Sequence, residues 1–149
     1  MSESAEDLVE KIAIACDEGD EEAEAGNHAE AAQHFQRAWE LLPEPRHENE
    51  SALWILKSLG DALFRQGNYQ KCREKLTEAV EKCEGGKSNP YIRLRLGQCL
   101  YELDEKREAI TWLSGALMTE GVEVLQSEDP KYLEFLKQHL QPPPGGWPA

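Results

Sequence analysis

Residues 56–79 read LKSLGDALFRQGNYQKCREKLTEA, and this stretch decides the fold. Leu56, Leu59, Gly60 and Leu63 fall on one helical face, Gly67-Asn68 interrupts the periodicity, and Cys72, Leu76 and Ala79 resume it at spacings of four and three. The same offsets recur on either side. Counting from Gly19, Gly60 and Gly97, Gly26, Gly67 and Asp104 stand seven residues on, and Ala31, Cys72 and Ala109 follow after five more. Phe35, Leu76 and Leu113 come next, then Ala38, Ala79 and Ala116. The anchors lie 41 and 37 residues apart. Repeats of this period predict an array of helix pairs, because a single pair cannot bury its own apolar face.

The spacing resembles the tetratricopeptide repeat, a helix–turn–helix unit with the pattern W-x2-L-G-x2-Y, then A-x3-F, then P. Leu56, Leu59, Gly60 and Leu63 match it in the second repeat, and Arg93, Leu96, Gly97 and Leu100 in the third. The back half is best kept in the first repeat, by Ala31, Phe35, Ala38 and Pro43. The resemblance covers residues 12–121. It implies an all-α fold, a right-handed array of antiparallel helix pairs with about three repeats (12–45, 53–86 and 90–123) and a C-terminal capping helix over 130–140. Gly60 and Gly97 are expected to let helices approach closely by facing Cys72 and Ala109. Asp104 stands where a turn glycine is usual, a position aspartate tolerates.

Helix signals fill in the order. Residues 5–25 form either one helix or two with a break at Asp17–Asp20, with Leu8, Ile12, Ala15 and Gly19 along one face. Further helices are expected over 29–42, 52–66, 70–83, 90–103 and 106–119, with Ser51 and Asn89 as N-caps and Pro90 in a first turn. Gly121–Glu128 reads as a short helix or a linker. Asp129-Pro130 opens the last helix, with Leu133, Leu136 and Leu140 on one side. Residues 1–141 are expected to form a single domain, followed by a proline- and glycine-rich tail over 142–149. Its Trp147 docks on the last repeat, docks in a groove, or stays in solvent.

The net charge of −13 sits mostly in the first third: residues 1–50 hold fifteen acids and three bases, against fourteen and thirteen in the remainder. Such a field disfavours nucleic acid and anionic membrane as partners and favours a basic protein, unless the acids only solubilise a helix. No apolar run spans a membrane and Met1–Lys11 lacks the basic start of a signal peptide, so a cytoplasmic protein is expected. Cys16, Cys72, Cys83 and Cys99 include no C-x-x-C pair and read as small core or groove residues.

No seat for catalysis is visible, and neither cofactor nor metal is expected. Phosphate-binding glycine loops and the G-x-S-x-G elbow are absent from the sequence, and His28, His34, His47 and His139 have no ligand spacing. Binding has the stronger case. In the family the first helix of each pair lines the concave side. Here that side would present Asp17, Asp20 and Glu24 beside Cys16, then Trp54, Lys57, Asp61, Phe64 and Arg65, then Tyr91, Arg95, Gln98 and Tyr101. Aromatics among charges have the composition of an interface hot spot, unless they pack between repeats or against the tail. Repeats that clamp acidic chaperone tails need basic and amide side chains where this chain has Cys16, Asp20, Ser58, Tyr91 and Arg95. Only Arg95 fits, so such a clamp is not expected.

The reading that follows is a non-enzymatic protein-binding module with a protein or peptide partner of basic surface. Two roles remain open: an acidic, immunity-type inhibitor of a basic protein toxin, or an adaptor holding a peptide in its concave groove.

Overall fold

The computed structural model describes residues 4–142 and 144–147. All regular structure there is helical: α1 (Ala5–Glu24), α2 (His28–Leu41), a 3-10 turn at Arg46–Glu48, α3 (Ala52–Arg65), α4 (Tyr69–Lys82), α5 (Pro90–Glu102), α6 (Lys106–Glu120), α7 (Glu123–Gln126) and α8 (Pro130–Lys137). The chain divides into two compact units, residues 1–88 with α1 to α4 and residues 89–149 with α5 to α8.

Within the first unit α1 packs on α2, α2 on α3, and α3 on α4; within the second α5 packs on α6. α1 is one uninterrupted helix, so there is no break at Asp17–Asp20. The turn inside each pair uses positive φ at Gly26 (83°), Gly67 (85°) and Asp104 (63°), a conformation glycine adopts freely and aspartate tolerates. Asn89 caps α5 by accepting from the Tyr91 and Ile92 amides, and Asp129 caps α8 by accepting from Lys131. Ser51 precedes α3 without capping it. Its side chain makes no cap hydrogen bond, and its own amide donates to Asn49 Oδ1 instead.

The repeated glycines sit where helices touch, but they do not face Cys72 and Ala109. A Cβ on Gly19 would lie 2.6 Å from Phe35 Cε1, one on Gly60 2.7 Å from Leu76 Cγ, and one on Gly97 2.7 Å from Leu113 Cγ. The contact is therefore made by the large residue four positions further on. Leu76 and Leu113 are fully buried and Phe35 nearly so. Ala31, Cys72 and Ala109 are also solvent-excluded and fill the layer beside it. Cys16 and Cys83 are free thiols. Cys72 and Cys99 are buried core residues, as expected.

α8 is shorter than the expected 130–140 and buries Tyr132, Phe135 and Leu136, where the sequence suggested Leu133, Leu136 and Leu140. The aromatic rings bury more area than a leucine, and they set the helix's rotation. Trp147 is half-buried; Pro143, Pro148 and Ala149, which belong to the predicted tail, lie outside the described residues.

Two glycine substitutions should act with opposite signs. Gly60→Ala forces a methyl group against Leu76 and should cost about 1–3 kcal/mol by overpacking. Gly115, inside α6, has only the flexible Arg93 side chain near it, 3.4 Å from where a Cβ would stand, so Gly115→Ala should stabilise by up to about 1 kcal/mol through helix propensity. Chemical denaturation of both variants checks the pair; an unchanged Gly60→Ala midpoint removes the proposed close contact.

Candidate functional site

On α1, Leu8, Ile12, Ala15 and Gly19 turn toward the unit, as the periodicity requires. A second face, displaced around the helix, carries Val9, Cys16, Asp17, Asp20 and Glu24. Val9 is 66% exposed and the three acids are exposed. Asp17, Asp20 and Glu24 follow at spacings of three and four, so they are neighbours on one surface. Partial burial, then the charges of Asp17 and Glu24, raise the Asp20 carboxyl above its ordinary range. Burial, then Asp20 and Asp17, push the Cys16 thiol up to about 11. None of the three acids takes part in an ion pair among the described residues.

α3 supplies the second row of the first unit. Trp54 is 39% exposed and sets its indole edge-on to Phe35 at 5.8 Å between centroids. One part of the ring is therefore anchored between helices and the rest faces solvent. Lys57 and Asp61 are half-buried. Exposed Arg65 donates from Nε to Asp61 Oδ2 at 3.0 Å, a pairing along one helix. Phe64 packs edge-on against Tyr69 of α4 at 5.5 Å. A cavity of about 590 Å³ opens elsewhere in this unit, between α2 and α4, with Gln33, Gln36, Glu40, Lys71 and Lys75 among its lining. None of the predicted residues belongs to it.

In the second unit, Tyr91 is 58% exposed at the start of α5. The other three residues of its row meet the chain's own C-terminal segment. Arg95 Nη1 donates to Glu128 Oε1 at 2.8 Å and to Gln98 Oε1 at 2.6 Å, while Gln98 Nε2 donates to the same Glu128 oxygen at 2.9 Å. Gln98 is fully buried. The Tyr101 ring stands edge-on to Tyr132 at 5.3 Å and to Phe135 at 5.0 Å, with Lys106 Nζ 3.6 Å from its centroid. Tyr132 donates its hydroxyl to Glu102 at 2.7 Å.

Sequence reasoning missed Glu128, Tyr132 and Phe135, which pair with the predicted row, and Val9, which extends the acidic face. The available signal was the Tyr132–Phe135–Leu136 spacing, a helical stripe as regular as the leucines but carrying aromatics. Glu128 had no signal, since it lies between α7 and α8 and its role depends on where the chain folds back. Among the described residues no cluster of three or more His, Cys, Asp or Glu could hold a metal ion, and no helix is long and apolar enough to cross a membrane.

Residues 57–122 match the sequence model of the tetratricopeptide repeat, as the repeat spacing led us to expect. Among solved structures, the TPR2AB domain of yeast Sti1 in its pHSP90 complex is similar in fold, with a TM-score of 0.58 and 20% identity. The likeness covers 85% of this chain and 45% of that one, so the chain spans under half the length of that structure. No curated protein matches the chain.

The Cys16 environment makes a chemical prediction. A thiol that ionises near pH 11 is almost wholly protonated at pH 8, so Cys16 should be alkylated slowly. Asp17→Asn with Asp20→Asn removes two of the three causes and lowers the pKa, so alkylation at pH 8 should quicken several-fold. Peptide mapping by mass spectrometry reads the rate at Cys16 separately from Cys83; an unchanged Cys16 rate means that burial alone controls the thiol.

Proposed function

We propose that this protein, whose residues 57–122 match the tetratricopeptide-repeat model, is a non-enzymatic module that binds another protein, and that its first unit receives a basic segment of the partner. The observation that carries the reading is the α1 face: Asp17, Asp20 and Glu24 are exposed neighbours that lack ion pairs among the described residues, and the charges of Asp17 and Glu24 add to partial burial in raising the Asp20 carboxyl. Mutual repulsion that the fold leaves uncompensated is relieved when a cation arrives, so the face gains from a basic ligand what it lacks alone. Val9, more than two turns before the acids on the same helix, and the exposed part of Trp54 on α3 offer apolar area to such a ligand.

The role we favour is an immunity-type inhibitor that neutralises a basic protein toxin. Its acidic third would steer a fast encounter, which suits a protein that must reach its target before damage occurs. The adaptor role is supported by a different observation, the half-exposed aromatic Trp54 on the first helix of a pair. The fold-relative from yeast was solved as a pHSP90 complex, and by extension a peptide segment is a suitable ligand here too.

The two roles separate on one experiment. The native chain is used to capture its partner, which is identified by mass spectrometry and then titrated with the module. An inhibitor captures a basic protein whose activity falls to zero at stoichiometric binding, whereas an adaptor leaves the activity of its partner intact. An acidic partner would sink the basic-ligand reading altogether.

For the captured partner, Asp17→Asn, Asp20→Asn and Glu24→Gln together should slow association about tenfold at low ionic strength, an effect that added salt abolishes. Trp54→Ala should instead speed dissociation and weaken binding by about 2 kcal/mol if the indole is a hot spot. Stopped-flow association at two salt concentrations checks the first, and dissociation kinetics the second.

A further inference from the structure

We propose that residues 122–137 form a displaceable strap over the α5 row of the second unit, latched by Glu128 on Arg95 and Gln98. This goes beyond the proposed function, since it concerns the second unit alone and holds whatever the first unit binds.

Three observations carry it. The first is the chemistry of the latch. One oxygen of Glu128 accepts from Arg95 at 2.8 Å and from Gln98 at 2.9 Å, and Gln98 is fully buried beneath it. Desolvating a carboxylate and a guanidinium cancels much of their attraction, so such a cluster fixes position more than it adds stability. The apolar contact of Gly97 with Leu113 that joins α5 to α6 has no such offset.

The second observation is how the strap is tethered. α6 ends at Gly121, whose φ is 83°, and α7 is a single turn of four residues without a side-chain cap. A short uncapped turn is a weak local structure, so this stretch of the strap depends on what it touches rather than on its own hydrogen bonds. The third is what it covers. Glu128, Tyr132 and Phe135, at spacings of four and three, meet Arg95, Gln98 and Tyr101, all three drawn from the row that a repeat of this kind turns toward a ligand. The strap thus presents a carboxylate followed by two aromatics. A segment of the same chemistry from outside the chain would compete for the same contacts.

The test uses the full-length chain, its Glu128→Ala variant, and a labelled synthetic peptide copying residues 122–140. In the wild type, amides of residues 122–137 should exchange with solvent at least tenfold faster than those of α5 and α6. Glu128→Ala should raise strap exchange a further tenfold or more while leaving α6 within twofold, and should bind the peptide at least tenfold more tightly than wild type does. Should Glu128→Ala fail to fold, Glu128→Gln keeps an accepting oxygen without the charge and carries the same comparison at smaller amplitude. Exchange that rises together in the strap, α5 and α6 would make residues 122–137 a fixed part of one cooperative core. That result, a strap exchanging no faster than α5 and α6 in the wild type, or equal peptide binding by wild type and variant would each overturn the proposal.

Discussion

One contact recurs through the chain and organises everything else: a glycine on the first helix of a pair with the tip of a large apolar side chain lying where its Cβ would be. Gly19 meets Phe35, Gly60 meets Leu76 and Gly97 meets Leu113, each pair sixteen residues apart. A helix is only as close to its neighbour as the side chains between them allow, and removing one Cβ brings the axes together at that level. The large side chain then fills the notch, and the solvent-excluded Ala38, Ala79 and Ala116 three residues further on continue the seam. The turn must return the second helix within a few residues to meet this register. That explains why a left-handed residue stands seven positions after each glycine, twice as Gly and once as Asp104.

This constraint was legible because it is periodic. Helix identity and most boundaries followed from the apolar spacing, and the Asn89-Pro90 and Asp129-Pro130 starts followed from capping chemistry that is local to three or four residues. The partner of each glycine was harder to read. Cys72 and Leu76 lie one helical turn apart on the same face, and only the rotation of α4 about its axis decides which of them reaches Gly60. Ser51 misled for a similar reason: its residue type suits an N-cap, yet the 3-10 turn at Arg46–Glu48 delivers it with a helical φ and ψ, and Asn49 takes its amide. α8 shows aromatic rings overriding a leucine stripe, a matter of buried area and not of spacing.

The candidate site was less legible than the fold, because residue type alone does not say what a side chain already holds. Arg95, Gln98 and Tyr101 have the composition of a binding row, and so do the contacts that Glu128, Tyr132 and Phe135 make with them from within the chain. A repeat scaffold presents the same helix face whether the occupant is foreign or its own. Nothing in the periodicity of α5 distinguishes the two cases, since the deciding residues lie about thirty positions or more away, in a segment with no repeat character.

Charge separates the surfaces where residue type cannot. The Arg95 guanidinium holds Glu128 at 2.8 Å, so its positive charge is largely answered inside the second unit, and a ligand offering only a carboxylate would gain little without first removing that group. On α1 the reverse holds: Asp17, Asp20 and Glu24 stand together without ion pairs among the described residues, and the shift of Asp20, caused first by partial burial, includes a repulsion from Asp17 and Glu24 that folding leaves in place. Helix formation tolerates this because the three acids are exposed and screened by solvent, so each costs only a few tenths of a kcal/mol. A surface kept in that state has its electrostatic energy available for an encounter, whereas a surface whose charges are already matched has spent it on its own fold. What separates the two surfaces is therefore less how many charged or aromatic residues each displays than which of them the fold has left unanswered.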